Sequence, residues 1–292
     1  MGQTLKRHYV RVTTACWLFL LTFAQLWVAS ARAETAAGYH LPWFRVVDSA
    51  SAKTPSLAGE AEIRLLADGE FPPFSFASQT GGPSGLAVEL ALAACAEIKV
   101  RCEVSLLPFK ELLPALIHGQ GDAIISGPRF DEALLAAVQM TRPWFRTMAR
   151  FAVQSGNPVK QPDIGSLKAK RVGVVKDTVH ARWLETYYPK SEILAFDDEA
   201  KAGEALRTGN IDVLFGDNLR LIYWVAGPGS RGCCRLLGGA YSDFEAFSRN
   251  MAFLVDKSRP DLRTAFDYGL DMAQANGTTE KIFNAYVPLS PW

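Results

Sequence analysis

Ile63-Arg64-Leu65-Leu66-Ala67 is followed in turn by Glu70-Phe71-Pro72-Pro73-Phe74, Gly85-Leu86-Ala87-Val88-Glu89-Leu90, Gly121-Asp122-Ala123-Ile124-Ile125-Ser126-Gly127 and Thr141-Arg142-Pro143-Trp144-Phe145. The first stretch is a short apolar strand pattern. The second is a turn whose two prolines fix the backbone. The third opens a helix that ends near Cys95, and the fourth is a buried strand leading into a glycine loop. Beyond them the chain keeps alternating strand and helix, which implies an α/β architecture with helix-covered sheets. The pattern predicts helices over 86–98, 109–118, 131–138, 179–188, 199–208, 219–225, 260–276 and 279–285. Strands are predicted over 63–67, 103–107, 123–126, 150–154, 171–175, 193–196, 213–216 and 251–255. No internal repeat or low-complexity run is evident.

Upstream, Lys6, Arg7 and Arg11 precede an apolar run from Ala15 to Ala29, and Ala31-Arg32-Ala33 precedes Glu34. This is the layout of a secretory signal peptide cleaved after Ala33. About fifteen apolar residues fall short of the ~20 that a membrane-spanning helix requires. Cys16 stands at the start of that run rather than its end, which disfavours a lipoprotein. Residues 1–33 are therefore read as a signal, and 34–60, poor in large hydrophobes, as an irregular lead-in. The signal takes four of the 31 Lys and Arg residues and none of the 30 acids, leaving 27 basic against 30 acidic residues. That surface does not suit nucleic acid. The remaining 259 residues can bury a large core and form two domains.

The ordered series from Ile63 to Trp292 resembles the family 3, polar amino-acid type, periplasmic solute-binding proteins of ABC importers. The resemblance implies a two-lobe periplasmic binding protein-like fold (type II), each lobe a central sheet flanked by helices, with two hinge crossovers. On that reading lobe 1 takes 61–152 and 250–292, lobe 2 takes 153–249, and the crossings fall near 150–156 and 249–257. It also implies a monomer in the periplasm, a small-molecule solute and an ABC permease in the inner membrane, with no cofactor and no metal. Four cysteines remain after the signal, and an even count in an oxidising compartment favours disulfides. Some family members bridge a pair at the spacing of Cys95 and Cys102, which implies that bridge here. Two free thiols are the plainer reading of the adjacent Cys233 and Cys234.

Ligands of α/β sheets settle beyond the carboxyl ends of strands. That rule points to 70–74, 126–129, 176–180 and Asp217, and the resemblance points to the same segments and adds Phe109. It implies that Phe71 stacks on the ligand with Phe109 as the opposite wall; ordinary core is the competing reading for both, and the better one for Phe74. Ser126 and Gly127 would offer backbone groups. The family's arginine for the ligand α-carboxylate falls at Leu134 here, so either Arg129 supplies the guanidinium or the ligand is not a standard α-amino acid. Thr178 would offer its hydroxyl and a helix N-terminus, although Asp177 could simply cap that helix. Asp212 resembles a structural acid at a strand start. Asp217 matches the aspartate that pairs with the ligand ammonium, with capping of the next helix as its competitor.

Three functions remain open on these residues. The first is a receptor that closes on an amino-acid-like or cationic solute and passes it to a permease. A periplasmic enzyme of cyclohexadienyl dehydratase type shares the fold, and would use Glu70 or Asp217 as proton donor. No nucleophile–base pair and no metal-like histidine spacing is present, so no catalytic residue is assigned. An accessory or sensor protein with a vestigial pocket is the third, given Leu134.

Overall fold

The computed structural model describes residues 38, 54–57, 62–126, 138–243, 245–247 and 250–292. The export segment, most of the lead-in and the stretch 127–137, which holds Gly127, Arg129 and Leu134, lie outside the described residues.

The first sheet is built on β1 (Glu62–Asp68), which pairs in parallel with β5 (Arg101–Leu107) and β6 (Ala123–Ile124). Strand β15 (Leu254–Asp256), antiparallel to both its neighbours β6 and β7 (Val138–Met140), completes the order β5-β1-β6-β15-β7. Three short strands, β2 (Glu70–Phe71), β3 (Ser75–Ala77) and β4 (Pro83–Ser84), form a separate small sheet after β1. Helix α1 (Leu86–Ile98) starts where Gly85 adopts φ 126°, and a Cβ there would stand 2.4 Å from the Phe74 carbonyl oxygen. Only glycine fits that combination. Helix α2 (Phe109–Ile117) leads to β6, and α6 (Pro260–Ala275) and α7 (Thr278–Tyr286) close the chain. At Gly269 of α6 a Cβ would meet the Ala94 carbonyl oxygen at 2.5 Å, so this glycine lets α6 lie directly on the backbone of α1.

The second sheet has five strands. Its parallel strands are β11 (Glu192–Phe196), β10 (Arg171–Val175) and β12 (Val213–Asp217), and β9 (Ala149–Gln154) runs antiparallel to both of its neighbours, β12 and β13 (Cys234–Tyr241), in the order β11-β10-β12-β9-β13. Helices α3 (Val179–Tyr187), α4 (Glu199–Thr208) and α5 (Asn218–Ala226) connect them. Strands β8 (Phe145–Arg146) and β14 (Asn250–Met251) pair with each other as an antiparallel ribbon between the two sheets in sequence. The whole of β9 belongs to the second sheet, so the first crossing falls before Ala149 and not over 150–156. Its fully buried residues Phe151, Ala152 and Val153 are held on both sides by β12 and β13, which fixes that membership.

One device pins both parallel pairs. The Arg64 backbone N–H and guanidinium both donate to Asp122, at 2.7 and 2.9 Å, and Arg171 does the same to Asp212, at 2.9 and 2.8 Å. Each aspartate sits just before its strand, so a single carboxylate aligns neighbouring strand starts with charge-assisted bonds.

Cys95 and Cys102 are bonded across the turn from α1 to β5, with Cα atoms 6.2 Å apart. Cys233 and Cys234 are bonded to each other, which corrects the expectation of two free thiols. The chain reverses just before them at Arg231 and Gly232, both with positive φ, and Cys234 enters β13 buried beside Leu206 and Leu221. Val138, expected as the last residue of a helix over 131–138, pairs with Asp256 in the sheet instead; the rest of that expected helix lies outside the described residues.

Candidate functional site

Because β5, β1 and β6 are parallel neighbours, their carboxyl ends share one edge of the first sheet. Phe71 follows β1, Phe109 follows β5 and Ser126 follows β6, so these three candidates lie along that edge. Ser126 is buried, and its hydroxyl accepts the Asp68 N–H at 2.7 Å, tying the ends of β1 and β6 together. Phe74 is core: it is 5% exposed and packs against Trp144 and Phe145 with ring centroids 5.9 Å away in both cases. Phe71 leans on Phe74 at 5.0 Å from the rim of that core and is only partly buried. Phe109 opens α2 and is exposed. The core therefore claims Phe74 and leaves Phe71 and Phe109 facing outward.

On the second sheet, β10 and β12 likewise end on one edge. Thr178 is the cap of α3: its hydroxyl accepts the Ala181 N–H at 3.1 Å and donates to the Val175 carbonyl at 2.7 Å. Asp177 does not cap; it occupies the turn before the helix with φ 59°. Three residues after Asp177, His180 stacks on Phe247 at 5.2 Å, with its Nε2 buried and lacking a hydrogen-bond partner. Burial, reinforced by the positive Arg220, pushes this imidazole down to about 4, so it is neutral at physiological pH.

Asp217 ends β12 and caps α5, accepting the Arg220 N–H at 3.0 Å. Both sequence readings of this residue are compatible with that geometry, since the cap uses one oxygen. Burial pushes its carboxyl above the usual carboxylate range, against the downward pull of the cap bond and of Arg220. The Arg220 guanidinium turns away to Glu199, at 2.8 and 2.9 Å. Among the described residues no cation forms an ion pair with Asp217. Asp217 is thus a half-buried carboxylate with no ion pair among the described residues, and a cation placed there would relieve its desolvation cost.

Sequence reasoning missed two polar residues that tie this edge to the rest of the molecule. Asn218, the residue after Asp217, is 1% exposed and donates from Nδ2 to the Pro291 carbonyl at 2.6 Å. Arg150 is 9% exposed and donates to Gly238 O at 2.9 and 2.8 Å and to Ser290 O at 2.9 Å. An asparagine at a helix start and an arginine at a strand start normally read as solvated, and the partners of both lie far along the chain. No group of three or more His, Cys, Asp or Glu able to hold a metal occurs among the described residues.

The family described as bacterial extracellular solute-binding proteins, family 3, matches residues 63–288. The chain belongs to this family. Its fold is the type II two-lobe periplasmic binding protein fold. The L-arginine-binding protein of Pseudomonas aeruginosa is 26% identical over 238 residues, covering 80% of this chain and 90% of that protein. The histidine-binding periplasmic protein of Salmonella typhimurium is 26% identical over 243 residues, covering 82% and 93%. In structure, substrate-binding domain 2 of Lactococcus lactis GlnP in its open conformation superposes with TM-score 0.68 at 20% identity, covering 82% of this chain and all of that one. In this solute-binding protein the two strand edges carrying Phe71, Phe109, Ser126, Thr178 and Asp217 are the candidate ligand-binding surfaces.

Proposed function

We propose that this protein is a periplasmic receptor that closes its two lobes on a cationic amino acid and delivers it, as a monomer, to an ABC permease in the inner membrane. The observation that carries the choice of ligand is Asp217, a half-buried carboxylate beyond the carboxyl end of β12 that pairs with no cation among the described residues. The names of the arginine- and histidine-binding relatives support the same class. Phe71 and Phe109 supply the aromatic walls from lobe 1, and Ser126 and Gly127 supply backbone groups. Leu134 stands at the family's usual arginine position, so the ligand carboxylate falls to Arg129 and to the amides at the start of α3 beyond Thr178.

The test is a thermal-shift panel of arginine, lysine, ornithine, histidine, glutamine and glutamate on the purified mature protein. A ligand at a hundred times its Kd stabilises the folded state by ~2.7 kcal/mol, a readily measured rise in Tm. Cationic members should raise Tm, and glutamate should not. A rise with glutamate alone, or turnover of prephenate or arogenate by the same preparation, would overturn the reading.

A further inference from the structure

We propose that Asn218 is a positioning residue for the ligand-facing Asp217, fixing the start of α5 to both the interlobe crossing and the segment Val287–Trp292. This rests on the reading of Asp217 given under Proposed function.

Asn218 is held from two directions. Its backbone N–H donates to the Met148 carbonyl at 2.9 Å, in the crossing between β8 and β9. Its side-chain Nδ2 donates to the Pro291 carbonyl at 2.6 Å. The amide oxygen of the same side chain is buried and has no hydrogen-bond partner. A buried orphan acceptor is costly, so packing alone is a poor reason for asparagine here; an aliphatic side chain of similar size would fill the space without that cost. The donor function toward Pro291 is what asparagine adds.

The rest of α5 continues the seam. Leu219 and Ile222 are buried in the first lobe's hydrophobic cluster together with Trp144, Phe145 and Val287, although the helix grows from a strand of the second sheet. Tyr223 donates its hydroxyl to the Tyr286 carbonyl. The far end of the segment is seated by Trp292, whose ring lies 6.0 Å from Phe145 and 5.7 Å from Phe283. The helix that begins at the candidate ligand carboxylate thereby presents Leu219, Ile222 and Tyr223 to lobe 1, while Leu221, Trp224 and Val225 pack with the second sheet. Asp217 sits one residue from the Asn218–Pro291 tie, which holds the start of the helix that its carboxyl caps. The charged groups facing that carboxyl are Arg220 on its own helix and Glu199 on α4, with His180 on α3 facing the same Arg220.

The experiment measures arginine affinity against pH by calorimetry for the wild type, Asn218→Leu, Asn218→Ala and Tyr223→Phe. Wild-type binding should fall in acid as Asp217 protonates. Asn218→Leu keeps the seam filled but removes the donor; it should weaken binding at least fivefold at neutral pH. It should also move the acid midpoint to lower pH, because a carboxyl released toward water returns to the ordinary range. Tyr223→Phe cuts the same seam about a turn further on and should leave the midpoint in place. If Asn218→Ala fails to fold, the leucine variant alone decides. A leucine variant with unchanged affinity and midpoint, or a midpoint shift matched by Tyr223→Phe, overturns the positioning role while leaving the ligand assignment standing. A wild type that binds no cationic amino acid overturns both.

Discussion

Asp217 carries two opposed duties. As a cap it stabilises α5, and as a shielded carboxylate it works against the folded state whenever it is ionised without a ligand. Its folded pKa is raised, so the stability it contributes is fully present below the unfolded value of ~3.9 and is lost as pH rises through the folded value. At neutral pH the empty protein therefore bears a cost that Asp217→Asn removes while keeping the cap, since asparagine caps as well as aspartate. Asp217→Asn should raise the Tm of the ligand-free protein at pH 7, and the gain should vanish by about pH 4, within the span of ordinary and shifted carboxyl values. Asp217→Ala, which also loses the cap, should be less stable than Asp217→Asn by ~1 kcal/mol. Urea melts across pH check both. The position of Asp217 was legible in sequence from the strand-end rule alone. Asn218 was not, because its side-chain partner is 73 residues away.

Among the elements, the continuous apolar strands read well: β10 is predicted over the residues it occupies, and helices α1 and α4 likewise. Strand β13 was missed because Gly238 and Gly239 interrupt it and its neighbours show no alternation; the register to β9 shifts at that point. The small sheet β2-β3-β4 was hidden inside a stretch that reads as turn. At α3 the sequence pointed to Asp177 as the cap and to Thr178 as a ligand contact, whereas the hydroxyl geometry makes Thr178 the cap. Thr178→Ala should therefore destabilise the protein by ~1 kcal/mol. Asp177→Asn, which tolerates the same left-handed backbone and tests only the carboxylate, should leave its stability nearly unchanged, as equilibrium denaturation of the two variants would show. The Arg64–Asp122 and Arg171–Asp212 pins share a layout that the sequence barely betrays, since only the arginine, the aspartate and a positive-φ glycine three residues before it (Gly119, Gly209) recur between the two.

For the molecule as a whole, the two-lobe fold was legible from the order of its motifs, whereas the crossing before β9 was set by tertiary pairing that one strand pattern does not reveal. Both cysteine pairs are closed. Protein isolated under oxidising conditions should accordingly resist alkylation at all four cysteines until reduced, read by peptide mapping; labelling of Cys233 or Cys234 without reduction would contradict that pairing. Closure on a ligand held by both edges follows from its differential affinity for the closed state. The most direct measurement is a calorimetric titration of arginine into the wild type and Asp217→Asn at neutral pH. A cation held by a shielded carboxylate predicts saturable one-to-one binding by the wild type and at least a tenfold loss in the variant, about 1.4 kcal/mol or more. Equal affinity in the two proteins, or no binding by either, would contradict it.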